Sequence, residues 1–495
     1  MPGIFSKSAR PPRPGAYFNW AATPVTTVLP SIGSVVLLAI VHDWGPDEVI
    51  VPTVSLADFQ AKFGPTQSAG YKAVMQCFEG EAYAGRGGAG TVLVYRMTGS
   101  AAVKATVSVQ NTTPAACLTL TAKYQGSYGN SLGFRNIADP VVGANNILQI
   151  TLGGTVVESY SYVKTDITGL AAQINAQSQW VTGAMLITGV AVAAASTSTP
   201  PTALATGNDG STLVGADWSL MTTNCSSARF SLFSPYDLTD STILQSIQVW
   251  VANMNVNGKR FMAVVGGALN ETASAAVTRS TALQTVQSGA SISGAEDFIN
   301  LGVGSVQDSA LGVLSTSQLA PRVAGILAAR GESMSLTFAR LAGVTPLILP
   351  DDPSVLQCFN GGVVCLGQDS NPDAPVRVEK GLTAYIGGDT TKPYLIYRNP
   401  KFLRTMQGIE LDITDWATNN AIGLLQVNDA TRALVVGHAH EVIQARADRG
   451  VIQDGFTVGT DPSPPPSDMD EFVALLYGIA FGRSVEQVFN TVFIS

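Results

Sequence analysis

Between residues 229 and 329 the chain alternates three times between a short apolar run and a longer helical stretch, and few architectures accommodate that rhythm. The apolar runs lie at 229–234, 260–265 and 297–303. The helical stretches lie at 240–254, 270–287 and 318–329, the first opening on Asp240 as an N-cap. Three strand–helix units in roughly 100 residues fit a parallel sheet covered by helices on both faces. GSVVLLAIVH at 33–42 is continuously apolar and of strand length, the pattern of a central strand buried on both sides. It is closed by a turn at Trp44, Gly45 and Pro46. Helices are expected at 55–63 and 69–84, and a strand, TVLVYR, at 91–96. Both early strands would join the same doubly wound sheet.

Residues 99–207 interrupt this rhythm. Thr, Ser, Val and Gly dominate, with short alternating stretches at 103–109 and 117–122. Two further alternating runs, 145–152 and 156–162, flank Gly153-Gly154 and read as a hairpin. One helix is expected at 168–179, and 193–211 has the composition of a linker. The segment therefore reads as an inserted, mostly β domain. After Pro346, Pro350 and Pro353, strands are expected at 376–386 and 393–397. Helices are expected at 409–426 and 430–447, with Gly450 placed to end the second, and a strand at 472–481. The expected class is α/β: a doubly wound core (25–98 and 208–350), the inserted β-rich domain (99–207) and a C-terminal α+β domain (351–483). Arms at 1–24 and 484–495 complete it.

Composition narrows the function. Charged residues make up 13% of the chain, about half the usual share, which suits a surface that is largely covered by partners or one rich in uncharged polar groups. The formal charge is −8 and no block of Lys or Arg occurs, which argues against direct nucleic-acid or anionic-membrane binding. No apolar stretch reaches the ~18 residues of a membrane span, and the first residues lack the apolar core of a signal peptide, so the product is expected to stay in the cytoplasm where it is made. The five cysteines, Cys77, Cys117, Cys225, Cys358 and Cys365, form no CxxC pair and read as reduced thiols.

Catalytic signatures are weak. Gly85, Gly87 and Gly90 spell GxGxxG, but a dinucleotide site needs that turn after a strand and before a helix. Here the order is helix, glycines, strand, so no cofactor is expected. There is no Walker loop and no GxSxG elbow. His42-Asp43 ends a strand, and a Ser–His–Asp relay through it would need a serine from elsewhere. His438 and His440 lie two apart on a helix and face different ways, so no shared metal is expected. Asp351-Asp352, before Pro353, reads as a turn.

The termini carry the strongest functional signal. Pro11, Pro12 and Pro14 stiffen a leader that ends in Tyr17, Phe18 and Trp20. It either folds back on its own domain or docks on a neighbour. At the other end, Val488, Val492 and Ile494 face one way and Phe489 and Phe493 the other, so both faces need cover. That strand either completes its own sheet or pairs with another chain by strand addition. Charge, scarce elsewhere, gathers on the C-terminal helices. Arg432, Glu441, Arg446 and Arg449 there form either a solvated face or a contact surface.

Several stretches resemble contractile phage tail sheath proteins, in family order: RPGAYFNW at 13–20, WGP at 44–46, AKYQGSYGNSLGF at 122–134, APRVAGILAARGESMSLTFARLAGV at 320–344 and EQVFNTVFIS at 486–495. Parts of 140–200 and 350–375 have no match. The resemblance implies a structural subunit without catalytic site, cofactor or metal. Many copies would stack around a tail tube protein, with the baseplate and tail terminator as further partners and the insertion pointing outward. The arms would add strands to neighbours while contraction drives the tube through the host envelope. It implies a place in the virion's contractile tail, assembled in the host bacterial cytoplasm. Two alternatives stand beside it: a component of a related injection or secretion sheath, and a doubly wound enzyme with an inserted binding domain.

Overall fold

Strand β1 (Val35–Val41) contains no polar side chain, because both of its faces are roofed by helices. In the computed structural model, which describes residues 35–81, 87–194, 199–284, 294–341, 343–369, 374–388, 392–422, 424–426, 428–460 and 475–481, Val36, Leu38 and Ile40 enter one apolar cluster. Leu37 and Ala39 enter another. After β1 come β2 (Ile50–Thr53), α1 (Leu56–Phe63), α2 (Ala69–Glu79) and β3 (Thr91–Met97). Ser55 caps α1 by accepting from the Asp58 N–H. β3 lies parallel to β1, and β2 runs antiparallel along β3 as the sheet's edge.

The chain then leaves the sheet. β4 (Thr106–Gln110), β5 (Ala116–Ala122), β6 (Leu132–Ala138), β7 (Asn145–Leu152), β8 (Thr155–Val163), α3 (Ile167–Gln177), β9 (Val181–Met185) and β10 (Thr202–Ala203) build two small antiparallel sheets around one cluster. The β7–β8 hairpin turns on Gly153 and Gly154, whose φ angles of 56° and 87° are left-handed and strain any residue with a Cβ. The described part of 193–211 is more ordered than its linker composition suggests. β10 pairs with β6, and Ala205 and Asn208 bridge back to Thr106 and Val103. Backbone pairing, which composition does not reveal, holds it.

Strand–helix alternation resumes with α4 (Gly215–Cys225), β11 (Leu232–Pro235), α5 (Ser241–Val256), β12 (Met262–Gly266), α6 (Ala273–Ala282) and β13 (Phe298–Leu301). The sheet order is β13-β12-β11-β1-β3-β2, parallel except at β2. Asp240 caps α5 through the N–H groups of Thr242 and Ile243, as its position before the helix implied. α4, absent from the sequence reading, contributes Trp218, Met221 and Cys225 to the second cluster. β14 (Ser305–Asp308), β15 (Gly312–Leu314) and α7 (Thr316–Arg330) follow.

The C-terminal part holds β16 (Arg340–Leu341), β17 (Val344–Ile348), α8 (Asp352–Asn360), β18 (Leu366–Gly367), β19 (Val376–Val378), α9 (Tyr394–Tyr397), α10 (Pro400–Asn420), α11 (Asp429–Ala447), β20 (Thr457–Thr460) and β21 (Leu475–Gly478). Four expectations need correction. Residues 393–397 form a helical turn, not a strand, because Pro393 caps it and Arg398 N–H closes onto the Tyr394 carbonyl. Of 376–386 only the first three residues pair. Asp351 caps a helix: its carboxylate accepts from the Ser354 N–H, and Pro353 sits in the first turn, where its missing N–H costs nothing. α10 also starts at Pro400, well before 409.

Trp44, from the loop after β1, is 3% exposed and belongs to the cluster of residues 105–204. It stacks on Trp180 at 5.8 Å and meets Tyr124 and Tyr128 edge-on at 5.3 and 5.6 Å. Trp44→Ala should cost about 3–5 kcal/mol. The loss should show as faster amide exchange in β5, β6 and β9 while β12 and β13 stay protected, as read by hydrogen-exchange mass spectrometry.

Candidate assembly surfaces and the ionic joint behind them

In an open parallel sheet, ligands bind outside the carboxyl ends of the strands at the switch point. The carboxyl ends of β1 and β3 are filled here. Arg96, at the end of β3, is fully buried and donates to the carbonyls of His42 (2.6 Å), Gly45 (2.8 Å) and Gln125 (2.8 Å). The serine that the sequence left unidentified is Ser68, the N-cap of α2, which meets His42 Nδ1. His42 Nε2 lies 2.9 Å from the Phe63 carbonyl and 3.5 Å from the Asp43 carboxylate, which accepts from Thr66 Oγ1 at 2.6 Å. The ring is 2% exposed, packed edge-on to Phe59 and Phe63. A Cβ on Gly70 would stand 2.7 Å from Ile40 and 3.0 Å from His42. An acyl substrate beside Ser68 Oγ would need room at this spot, so the trio reads as packing. Burial pushes the His42 pKa down to about 4.

The glycines run in the order helix, glycine, strand: α2 ends at Glu79 with Gly80 as its C-cap, Gly88 N–H returns to the Phe78 carbonyl at 2.9 Å, and β3 begins at Thr91. Gly85 lies outside the described residues. All five cysteines are buried free thiols. Cys358 and Cys365 share a hydrogen bond. Among the described residues no cluster of three or more His, Cys, Asp or Glu could hold a metal, and no helix is long and apolar enough to cross a membrane.

The C-terminal helices are bolted to the sheet by buried charge. Arg446 of α11 donates to Glu332 from Nε (2.7 Å) and Nη2 (3.1 Å), and Nη2 also reaches Asp412 of α10 at 2.7 Å. Glu332 follows the last turn of α7, so one guanidinium ties three helices. Burial alone would lower the Arg446 pKa, but the two carboxylates outweigh it and hold it above its ordinary value. Gly408 makes the geometry possible: a Cβ there would stand 2.2 Å from Glu332 Oε1. Arg404, buried at 1% exposure, donates to the Leu327 carbonyl, and its Nε and Nη2 have no hydrogen-bond partner. Burial pushes it down to about 10. Arg330 grips Glu81 with two bonds of 2.9 and 2.7 Å. At the sheet's other end Arg260 pairs with Glu410 and Arg229 with Asp415, both of α10. Asp297, also buried, accepts from Gln407 Nε2 at 3.2 Å, and burial beside Glu296 raises its pKa to about 7.

The expected contact residues therefore divide. Arg446 is corrected: it points inward, because its partners come from Glu332 and Asp412, far away in sequence. Arg432, half-exposed, pairs with Asp429 at 3.2 Å. Glu441 is exposed beside His438, and Arg449 is exposed and donates to the Ala445 carbonyl. Tyr17, Phe18, Trp20, Val488, Phe489, Val492, Phe493 and Ile494 lie outside the described residues. The described surface near the C-terminus carries two further features, the first built on the strand expected at 472–481. β20 and β21 form a two-stranded sheet with no third strand among the described residues, pairing Thr457–Gly478 through Thr460–Leu475. Beside β21 an apolar cavity of about 600 Å³ opens among Met406, Ile409, Ile413, Tyr477, Ile479 and Phe481.

No family model and no curated protein sequence matches the chain. Solved structures do. The sheath tail protein of Desulfitobacterium hafniense superposes with a TM-score of 0.69 at 17% identity, over 94% of this chain and 100% of that one. The sheath tail protein of Listeria innocua gives 0.64 at 18%, over 91% and 96%. The helical sheath of the anti-feeding prophage in its contracted state gives 0.52 at 13%, over 97% and 99%. The chain has the mixed α/β fold of contractile-tail sheath proteins along almost its whole length.

Arg446→Ala should destabilise the fold by roughly 3–5 kcal/mol in urea unfolding, because it strands two buried carboxylates. The pH dependence has two opposed parts. The His42 pKa is lower folded than unfolded, so its stability contribution is complete above pH 6.5 and is lost as pH falls toward 4, by about 3 kcal/mol. Asp297, raised to about 7, favours the fold as pH falls below 7. Subtracting the His42→Gln stability curve from the wild-type curve should isolate the first part as a difference that shrinks by about 3 kcal/mol between pH 6.5 and 4.

Proposed function

We propose that the chain is a structural subunit of a contractile tail sheath that self-assembles around a tail tube and shortens to drive it through a host envelope. The observation that carries this reading is the end-to-end correspondence of its fold with sheath tail proteins, which leaves little of either chain unmatched. The close packing at the carboxyl ends of β1 and β3 supports a structural role over an enzymatic one.

In this reading 25–98 and 208–350 form the sheath core, 99–207 the outward domain, 351–483 the inner domain, and 1–24 and 484–495 the arms. The β20–β21 sheet suits strand addition: each edge strand offers backbone N–H and C=O groups, and the neighbouring apolar cavity offers a seat for side chains. Tyr17, Phe18 and Trp20 from one arm, and Val488, Phe489, Val492, Phe493 and Ile494 from the other, are the proposed inter-subunit residues. Each buried aromatic would contribute about 1.5–3 kcal/mol. Arg432, Glu441 and Arg449 face outward, toward a neighbour or the tube. Further copies of the chain, the tube protein, the baseplate and the tail terminator are its partners. Its place is the virion's tail, after assembly in the host bacterial cytoplasm. The likeness to the anti-feeding prophage sheath keeps a related injection sheath as the second reading.

Purified full-length chain should form long hollow cylinders in negative-stain images, whereas chains lacking 1–24 or 484–495 should stay folded by circular dichroism and form none. Cylinders from both truncated chains would overturn the arm mechanism. A wild-type chain that assembles only with a second sheath polypeptide would favour the injection-sheath reading.

A further inference from the structure

Two apolar features lie at opposite ends of α10. At its start, Leu356 and Phe359 of α8, Leu382, Tyr394 and Leu395 of α9, and Phe402 surround a cleft of about 470 Å³. Leu356 and Leu395 stand 62% and 66% exposed on its rim. The charged groups lining it are both cations, Lys380 and Arg398. Arg398 lies over the Tyr394 ring at 4.9 Å, and its buried Nε has no hydrogen-bond partner. At the far end, the turn after α10 projects Ile422 and Leu424, 68% and 67% exposed, beside Leu425 and Leu434. Asp429, in the first turn of α11, has a fully exposed side chain and pairs with Arg432 at 3.2 Å.

One surface is concave, apolar and cationic; the other is convex, aliphatic and edged by a carboxylate. They cannot meet within one molecule. α10 has 21 residues and at about 1.5 Å per residue holds the two roughly 30 Å apart. Its buried ion pairs to α7 and α11 keep it from folding back. Complementary patches on opposite ends of one rigid body meet only between copies, head to tail, and such a contact propagates instead of closing.

We propose that the aliphatic tip of the α10–α11 hairpin of one copy seats in the cleft between Leu356, Leu395 and Phe402 of the next, with Asp429 set against Lys380 and Arg398. The inference rests on the self-assembling reading above and names one of its contacts. It is independent of the arms, since every residue it uses lies within the described structure.

A chain carrying Leu395→Cys and Leu424→Cys tests it under copper-phenanthroline oxidation, since the native thiols are buried. Assembled protein should run as a ladder of dimers, trimers and higher species on a non-reducing gel, and each single variant should stay monomeric, because its lone new thiol faces a leucine across the contact. Leu424→Asp should weaken self-association about tenfold in sedimentation velocity. Its urea midpoint should stay unchanged, because the position is exposed. Cylinders that form without the ladder, or a Leu424→Asp chain that associates normally, would overturn this contact and leave the sheath reading standing. A tip cysteine that couples only to tube protein would overturn it too. A wild-type chain that stays monomeric at every concentration would overturn both.

Discussion

Arg446 sits where a guanidinium is costly to place and costly to remove. Carrying it and two carboxylates out of water incurs a large desolvation penalty, which is recovered only with every partner in position. Arg404, close enough to sense Glu332, brings the buried charge of this group to zero. The result is a joint with one workable geometry. α7 packs against β11, β12 and β1 of the parallel sheet, so the same joint fixes α10 and α11 to the core. A subunit that is pulled or rotated by its neighbours transmits that load as a unit only if its parts cannot slide. This chain secures them with charge buried at the joint.

The sheet was legible because its demands are local. A strand covered on both faces can hold only apolar side chains, and β1 states this in seven consecutive residues. Asp240 before α5 and the glycine pair at the β7–β8 turn are similarly local signals. Other features depend on distant partners. Arg446 resembles any solvated arginine on a helix until Glu332, 114 residues away, is placed beside it. Residues 193–211 look like slack linker until Ala205 and Asn208 are seen bridged to Thr106 and Val103. The TVLVYR strand ends on an arginine whose three acceptors come from two loops. Fold class was thus written in the sequence, and the joints that make it rigid were not. The arms were read for function but fall outside the described structure.

Scarce charge takes on a different meaning once the charges are located. Several arginines are spent inside the protein, at positions 96, 322, 404 and 446, each nearly inaccessible. The outer surface is left poorer in ions than even the composition suggests. Aliphatic residues stand out on it at α8, α9 and the α10–α11 tip. Such a surface suits burial against like copies. Rigid interior and adhesive exterior are the complementary requirements of the proposed lattice role.

The root of the β-rich segment has an evolutionary corollary. Both its entry and its exit pass the same small collar, where Arg96 holds the loops of Gly45 and Gln125 and Trp44 plugs an aromatic socket. Everything beyond that collar contributes nothing to the parallel sheet. A lineage could therefore exchange the whole appendage for another, provided the newcomer supplied one carbonyl for the guanidinium and a hydrophobic seat for the indole. The appendage of such a fold could diversify quickly while the parallel sheet stayed the same.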